Sequence, residues 1–303
     1  MASKLRISVS PHIHIKETVQ GIMLDVIISL LPAAIAGIII FGWRALAVIT
    51  TCIVASVASE YIFNRCVKET PTISDISAIV TGLLLALNLP ANVPLWQAAV
   101  GSVFAIIIVK CFFGGMGCNL VNPAIAARVF MLVAFSSMAT AAFPVDSVSS
   151  ATPLSSEMPS LTTLFFGNYG GAIGETCTLA LIIGFIYLLV RRVITWHIPV
   201  AFIGTVFLFT LALNGFDFVA ALSAIMAGGL FIGAIFMATD YVTSPETWSG
   251  KLIFGLGAGI ITVMIRQWGN YPEGVSFAIL LMNILDPYVG VWTARKVFGG
   301  DKA

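Results

Sequence analysis

Charge is what this chain has least of. Only 10% of its 303 residues are Asp, Glu, Lys or Arg, against about 25% in ordinary globular domains. That scarcity excludes a soluble enzyme with a solvated surface. The net charge of +1 says nothing about partners, because the charges are few and local. Histidine is scarce too, and His12, His14 and His197 are interfacial and too scattered to form a ligand set. The five cysteines (Cys52, Cys66, Cys111, Cys118, Cys177) show no CxxC spacing. Most fall in or beside apolar runs, where a thiol reads as a small buried hydrophobe rather than a metal ligand. No nucleotide-binding glycine loop is present. A cleavable signal peptide is not expected either, since the N-terminus is polar and the first apolar run starts near Ile22.

What remains is hydrocarbon-soluble. Hydrophobic residues make up 59% of the chain and the mean hydropathy is +1.02, the composition of an all-α polytopic membrane protein. A span needs about 20 apolar residues. Ten runs approach this: Ile22–Phe41, Trp43–Phe63, Ser74–Leu89, Leu95–Phe113, Pro123–Ala139, Ala172–Val190, Ile198–Leu213, Phe218–Ala238, Lys251–Ile265 and Val275–Trp292. The third and ninth are short, which predicts two tilted, broken or re-entrant helices. With the N-terminus cytoplasmic, 13 of the 15 basic residues fall on the cytoplasmic side and only Arg44 and Arg266 on the other. Lys and Arg bias sets orientation, so both termini are expected in the cytoplasm. The loop 140–171 has Asp146 and Glu157 but no cation and is expected outside.

A shift of 152 residues lays Trp96 on Trp248 and Asn88 on Asp240, so that 87–94 meets 239–246. After a gap of about three residues, Asn122-Pro123 meets Tyr271-Pro272. Each half has a short span, a Pro-bearing polar turn, another span and a Gly/Pro/Asn-rich stretch. Five spans separate equivalent elements, so the copies enter the membrane from opposite sides. That is the inverted-repeat plan, with sites at discontinuous helices near the midplane. The alternative is that Gly and Pro interruptions occur in any chain with ten spans, where neighbouring helices tolerate them. The expected organisation is a cytoplasmic segment 1–21, a first five-helix repeat 22–139, an extracytoplasmic loop 140–171, a second repeat 172–292 and a cytoplasmic tail 293–303.

Several motifs stand in order along this frame. The stretch 117–124, Gly-Cys-Asn-Leu-Val-Asn-Pro-Ala, is followed by Arg128 and Phe130. The stretch 236–245 reads Phe-Met-Ala-Thr-Asp-Tyr-Val-Thr-Ser-Pro, and Tyr271-Pro272-Glu273-Gly274-Val275 precedes Asn283. In the outer loop, Asp146 stands three residues before Ser149, with Ser150, Ala151 and Thr152 closing the run. Pro153 biases Thr152 towards extended backbone, which presents its hydroxyl. The bland reading of this run is a Ser/Thr-rich connector.

Together these motifs resemble the family that holds the D component of the Rnf complex and the B component of the sodium-pumping NADH:quinone reductase. The chain has no long N-terminal extension, which points to the Rnf branch. The resemblance implies FMN joined by a phosphoester to Thr152, attached by an extracytoplasmic flavin transferase that reads Asp146, Ser149, Ser150 and Ala151. The family has Gly where this chain has Ser150, and flavinylation is expected to survive that change. A second, non-covalent flavin, riboflavin, is also implied. NAD(H), ferredoxin and iron–sulfur chemistry then belong to other subunits, in a bacterial or archaeal cytoplasmic membrane, with no nucleic acid involved. The implied role is electron relay coupled to transport of sodium or protons.

Asn119, Asn122 and Arg128 lie at a Gly-Asn-Pro break that opens a helix and form a candidate flavin pocket, because helix N-termini bind anions. The alternative is a helix cap and a positive-inside anchor. Asp240 and Glu273, at the matching breaks, are candidates for ion or structural polar sites. Asp25, Glu60 and Glu175, near span ends, carry less weight still. The rival function is a small-solute channel or secondary transporter without flavin.

Overall fold

The computed structural model describes residues 18–67, 73–135, 160–167, 169–269 and 274–294. The segments 1–21, 140–171 and 293–303, expected outside the bundle, lie largely beyond these. The helices are α1 (Val19–Phe41), α2 (Trp43–Val67), α3 (Ser77–Leu87), α4 (Leu95–Val103), α5 (Pro123–Ala134), α6 (Leu161–Phe166), α7 (Thr178–Val190), α8 (His197–Leu213), α9 (Phe218–Met226), α10 (Leu230–Ile232), α11 (Trp248–Trp268) and α12 (Val275–Thr293). No strand occurs among the described residues, only an isolated bridge between Pro90 and Ala172. The chain is an all-helical polytopic membrane protein.

Among the described residues, five helices are long and apolar enough to span a bilayer: α1, α2, α4 continued to Phe113, α11 and α12. Helix α9 with α10 and its continuation makes a sixth, bent by 64°. Helix α1 has 23 residues, roughly 34 Å of helix against a hydrocarbon core of about 30 Å. Thr18 caps its start by accepting from the Gly21 N–H. At its end Gly42 takes φ 71°, and its N–H closes on Ile38 O. Helix α4 widens into π-helical geometry over Phe104–Lys110 and tightens to 3-10 at Cys111–Phe113.

The half-helices differ from the sequence expectation. Helix α3 is short as expected, at 11 residues, and every residue in it except Ile79 is buried. The ninth run is a full 21-residue helix, α11. Its residues 248–250 and 266–268 are polar or amphipathic, so an apolar window trims both ends. The breaks fall elsewhere. The sixth run starts its helix only at Thr178, because Gly170, Gly171 and Gly174 spoil its first turns. The eighth breaks at Ala227–Gly229, where Gly228 takes φ 72°. The six-residue α6, capped by Ser160, lies in the segment expected to be loop.

Irregular backbone at membrane depth persists only where its polar groups find partners. Here they do. The N–H groups of Ile173 and Gly174 bond Leu89 O at 3.0 Å and Leu87 O at 2.7 Å, so the 169–177 connector closes the open carbonyls of α3. A Cβ on Gly174 would stand 2.6 Å from Leu87 Cβ, so only glycine permits this approach. At the second break, Arg266 donates to Ala224 O at 2.7 Å and Ala227 O at 3.3 Å.

Helix α8 packs on α11 through Gly255 and Gly259, one turn apart. A Cβ there would meet Ala201 Cβ at 2.7 Å and Thr205 Cβ at 2.6 Å. Small residues at this spacing let helix backbones approach in lipid, where dispersion replaces the hydrophobic drive. Helix α2 packs on α4 as α8 does on α11, and α4 on α5 as α11 does on α12. Helix α1 packs on α7, and α5 on α12.

Candidate functional site

Two polar nodes lie inside the bundle. The first is a cleft lined by Ser77, Lys110, Asn119, Asn122 and Asp240, among apolar walls from α1, α3, α7 and the segment after α10. Its enclosed space is about 110 Å³. Asn122 is the N-cap of α5: its Oδ1 accepts from the N–H groups of Ala124 at 3.0 Å and Ile125 at 3.4 Å. Its Nδ2 donates to Met237 O at 3.2 Å, tying the start of α5 to the π-helical turn Gly233–Met237. Asn283, oriented by its neighbours, accepts from the Asn122 N–H at 3.1 Å and donates to Thr243 O at 3.1 Å. The Asn-Pro motif and the distant Asn283 thus form one clamp.

Asn119 contributes something different. Its Oδ1 is buried and has no hydrogen-bond partner among the described residues. Asp240 is half-buried, with Thr243 Oγ1 donating to its Oδ2 at 3.2 Å. Burial pushes its carboxyl above the ordinary value, and hydrogen bonds from Thr243, Val242 and Tyr241 pull it back in part. Lys110, at the end of the π-helical segment, donates to Glu60 Oε1 at 2.9 Å and to Ser77 Oγ at 2.8 Å. Both partners of the ion pair are about 3% exposed. Lys110 is therefore not the solvent-facing anchor that a count of basic residues makes of it, and Glu60 is its buried partner.

The second node is centred on Arg128 and Glu175. Arg128 is one and a half turns into α5 and 5% exposed. Its Nη1 donates to Asn88 Oδ1. Asn88, at the end of α3, also donates to Leu84 O at 2.7 Å and to Met237 Sδ at 3.5 Å. Glu175, 3% exposed, sits on the 169–177 connector. Its Oε1 accepts from the Ala172 N–H at 2.9 Å, and Tyr169 donates to its backbone oxygen at 3.1 Å. Glu175 is thus buried, more than its place near a span end suggests. Asp25 is buried as well, in an ion pair with Arg191 at 3.0 Å and a 2.9 Å bond from the Tyr187 hydroxyl.

Of the residues singled out in the sequence, Asn119, Asn122 and Asp240 come together at one cleft. Arg128 stands apart from it, in the second node. Asp146, Ser149, Ser150, Ala151, Thr152 and Glu273 lie outside the described residues. Cys52 and Cys111 are buried, Cys66 and Cys118 exposed, and Cys177 intermediate. Among the described residues no three His, Cys, Asp or Glu side chains group as metal ligands. Sequence reasoning missed the Lys110–Glu60 pair, the Asn88–Arg128 bond and the depth of Glu175. The available signal was a charged residue inside or beside an apolar run, which is costly in lipid and seldom idle.

Comparison with known proteins covers almost the whole chain. Residues 6–299 match the family described as "NQR2, RnfD, RnfE". The chain is 45% identical to the D component of the Na+-translocating ferredoxin:NAD+ oxidoreductase complex of Acetobacterium woodii, over 98% of this chain and 96% of that protein. It is 42% identical to the D component of the proton-translocating ferredoxin:NAD+ oxidoreductase complex of Clostridium ljungdahlii, over 97% and 96%. With the D component of the ion-translocating oxidoreductase complex of Stutzerimonas stutzeri it shares 37% identity over 94% and 93%. The chain belongs to the NQR2, RnfD, RnfE family.

Proposed function

We propose that this chain is the D component of an ion-translocating ferredoxin:NAD+ oxidoreductase complex, a redox-driven translocase that is catalytically complete only with its partner subunits. One observation carries the reading: 45% identity, along nearly the full length of both chains, to a protein named as that component. The chain crosses the cytoplasmic membrane ten times in two inverted repeats, with both termini inside. The paired packing of α1 on α7 and α5 on α12 supports this, because a two-fold relation places the helices nearest its axis against their counterparts.

FMN is carried on Thr152 as a phosphoester, attached by an extracytoplasmic flavin transferase that reads Asp146 to Ala151. Riboflavin is the second flavin, and the cleft at Asn119 suits its polar edge. The Asn119 Oδ1, partnerless among the described residues, is an acceptor for a ring N–H, and the Asn122 clamp fixes the backbone beside it. The enclosed 110 Å³ is below the roughly 300–1,000 Å³ of sites that engulf an organic ligand, so the cleft takes the edge of a ring rather than the whole of it. Flavins exchange electrons singly or in pairs, and the protein's part is to position and tune them.

The test is direct. The chain, made in a host with the flavin transferase, is run on a denaturing gel under ultraviolet light. A fluorescent band that Thr152→Ala abolishes supports the proposal. A dark parent band favours a pore, for which buried polar groups at broken helices would serve equally well.

A further inference from the structure

We propose that Lys110 is the cation by which the first cleft reads its ligand. Its third N–H donates to a carbonyl oxygen on the pyrimidine edge of the flavin seated there, and its charge favours the reduced ring. This deepens the riboflavin reading of the cleft and rests on it, but not on the FMN of Thr152.

Lys110 ends the π-helical segment Phe104–Lys110 and is 2% exposed. An ammonium has three N–H groups to place. One goes to Glu60 Oε1 at 2.9 Å and a second to Ser77 Oγ at 2.8 Å. No acceptor for the third lies among the described residues. A buried donor without an acceptor is costly, so an oxygen brought by a ligand is stabilising at this place.

The walls of the cleft give the direction. Lys110 and Ser77 line it, whereas Glu60 does not. The ion pair therefore turns its positive end to the cleft and keeps its carboxylate behind, on α2. Arg128 is not among the lining residues, so Lys110 is the cation that the described residues offer to a ligand here. Asp240 is the acidic residue of the lining. Thr243 donates to it at 3.2 Å, and burial raises its carboxyl above the ordinary value, which weakens the opposing charge.

Donor and acceptor in one cleft complement an imide. Asn119 Oδ1, buried and partnerless among the described residues, accepts from a ring N–H, and Lys110 donates to a carbonyl beside it. The pyrimidine edge of a flavin presents both, an N–H between two C=O groups. A reduced flavin carries its added negative charge on N1 and the neighbouring carbonyl, along that same side of the ring. Charge near N1 is one lever by which a protein tunes a flavin. The apolar walls, among them Val80, Leu84 and Phe236, exclude water, and a cation acts more strongly where solvent does not screen it.

The experiment uses the full-length chain, made in a host without the flavin transferase, purified in detergent and loaded with riboflavin. Riboflavin per chain is counted after extraction, and its midpoint potential is measured by spectroelectrochemical titration. Lys110→Met should lower the preference for reduced over oxidised riboflavin by about tenfold, a downward shift of about 30 mV for a two-electron couple. Glu60→Gln leaves the ammonium unopposed and should move the potential upward. A pair with a structural role alone would lower riboflavin occupancy in both variants and leave the potential of the remaining flavin unmoved, which overturns the proposal. Shifts in the same direction overturn it too. Should Lys110→Met fail to fold, Lys110→Met with Glu60→Gln is compared with Glu60→Gln alone. The same tenfold loss is expected there, and equal potentials refute the role of Lys110. A parent chain that binds no riboflavin overturns the occupant together with this role, whereas bound riboflavin with unmoved potentials overturns the role alone.

Discussion

Removing the Lys110 cation is the sharpest test of this interior. Lys110→Met keeps most of the side-chain volume but takes the ammonium from the Glu60 carboxylate, whose side chain is 3% exposed, and a donor from Ser77. Breaking a buried ion pair on one side costs about 3–5 kcal/mol, whereas replacing both members is often close to neutral. Lys110→Met alone should therefore be destabilised by about 4 kcal/mol, and Lys110→Met with Glu60→Gln should recover most of that loss. The assay is thermal unfolding in detergent, followed by tryptophan fluorescence across the two single variants, the double variant and the parent. A lysine reaching the headgroups would give less than about 1 kcal/mol in the same cycle. If the single variant is as stable as the double, the buried pair is not what holds α2, α3 and the end of α4 together.

Other outcomes follow from the same geometry. Arg191→Ala, whose side chain is 57% exposed against 9% for Asp25, should cost less than Lys110→Met in the same unfolding assay, because water reaches the guanidinium and Tyr187 still donates to Asp25. Asn122→Ala removes the cap of α5 and the bond to Met237 O, and should cost about 1–2 kcal/mol by thermal unfolding. Gly259→Ala drives a methyl into Thr205, and should lower stability by about 1–3 kcal/mol as overpacking does, read as a lower midpoint. The raised carboxyl of Asp240 favours its protonated form in the folded chain. Its contribution is full below the ordinary carboxylate value and is lost as pH rises through the raised one. Asp240→Asn should flatten that loss in midpoints measured as pH is raised. Asp146→Ala should abolish flavin loading, measured by intact mass, while leaving membrane insertion unchanged.

The sequence made the membrane class, the family and one polar cleft legible, for identifiable reasons. Asn119, Asn122 and Asp240 stand at Gly- and Pro-bearing breaks, and broken helices leave backbone groups that gather polar side chains. The long helices follow from uninterrupted apolar runs. The half-helices were harder, because an apolar window cannot tell six residues of buried connector, 172–177, from helix. The second node was invisible for another reason. Asn88, Arg128 and Glu175 are far apart along the chain, and each is ordinary in its own neighbourhood. Counting Lys110 and Arg128 as boundary cations recorded where each lies in the chain, not where its side chain points.

The widened turn at Phe104–Lys110 carries a consequence for how this interior is specified. A π-type segment amounts to one extra residue inserted in an α-helix, which rotates everything after it by roughly 100°. Deleting a single residue from that stretch would leave composition and hydropathy almost untouched, yet would swing the ammonium away from Glu60 into the buried place of Val109. Helical phase, rather than residue type, is what keeps that positive charge on its carboxylate.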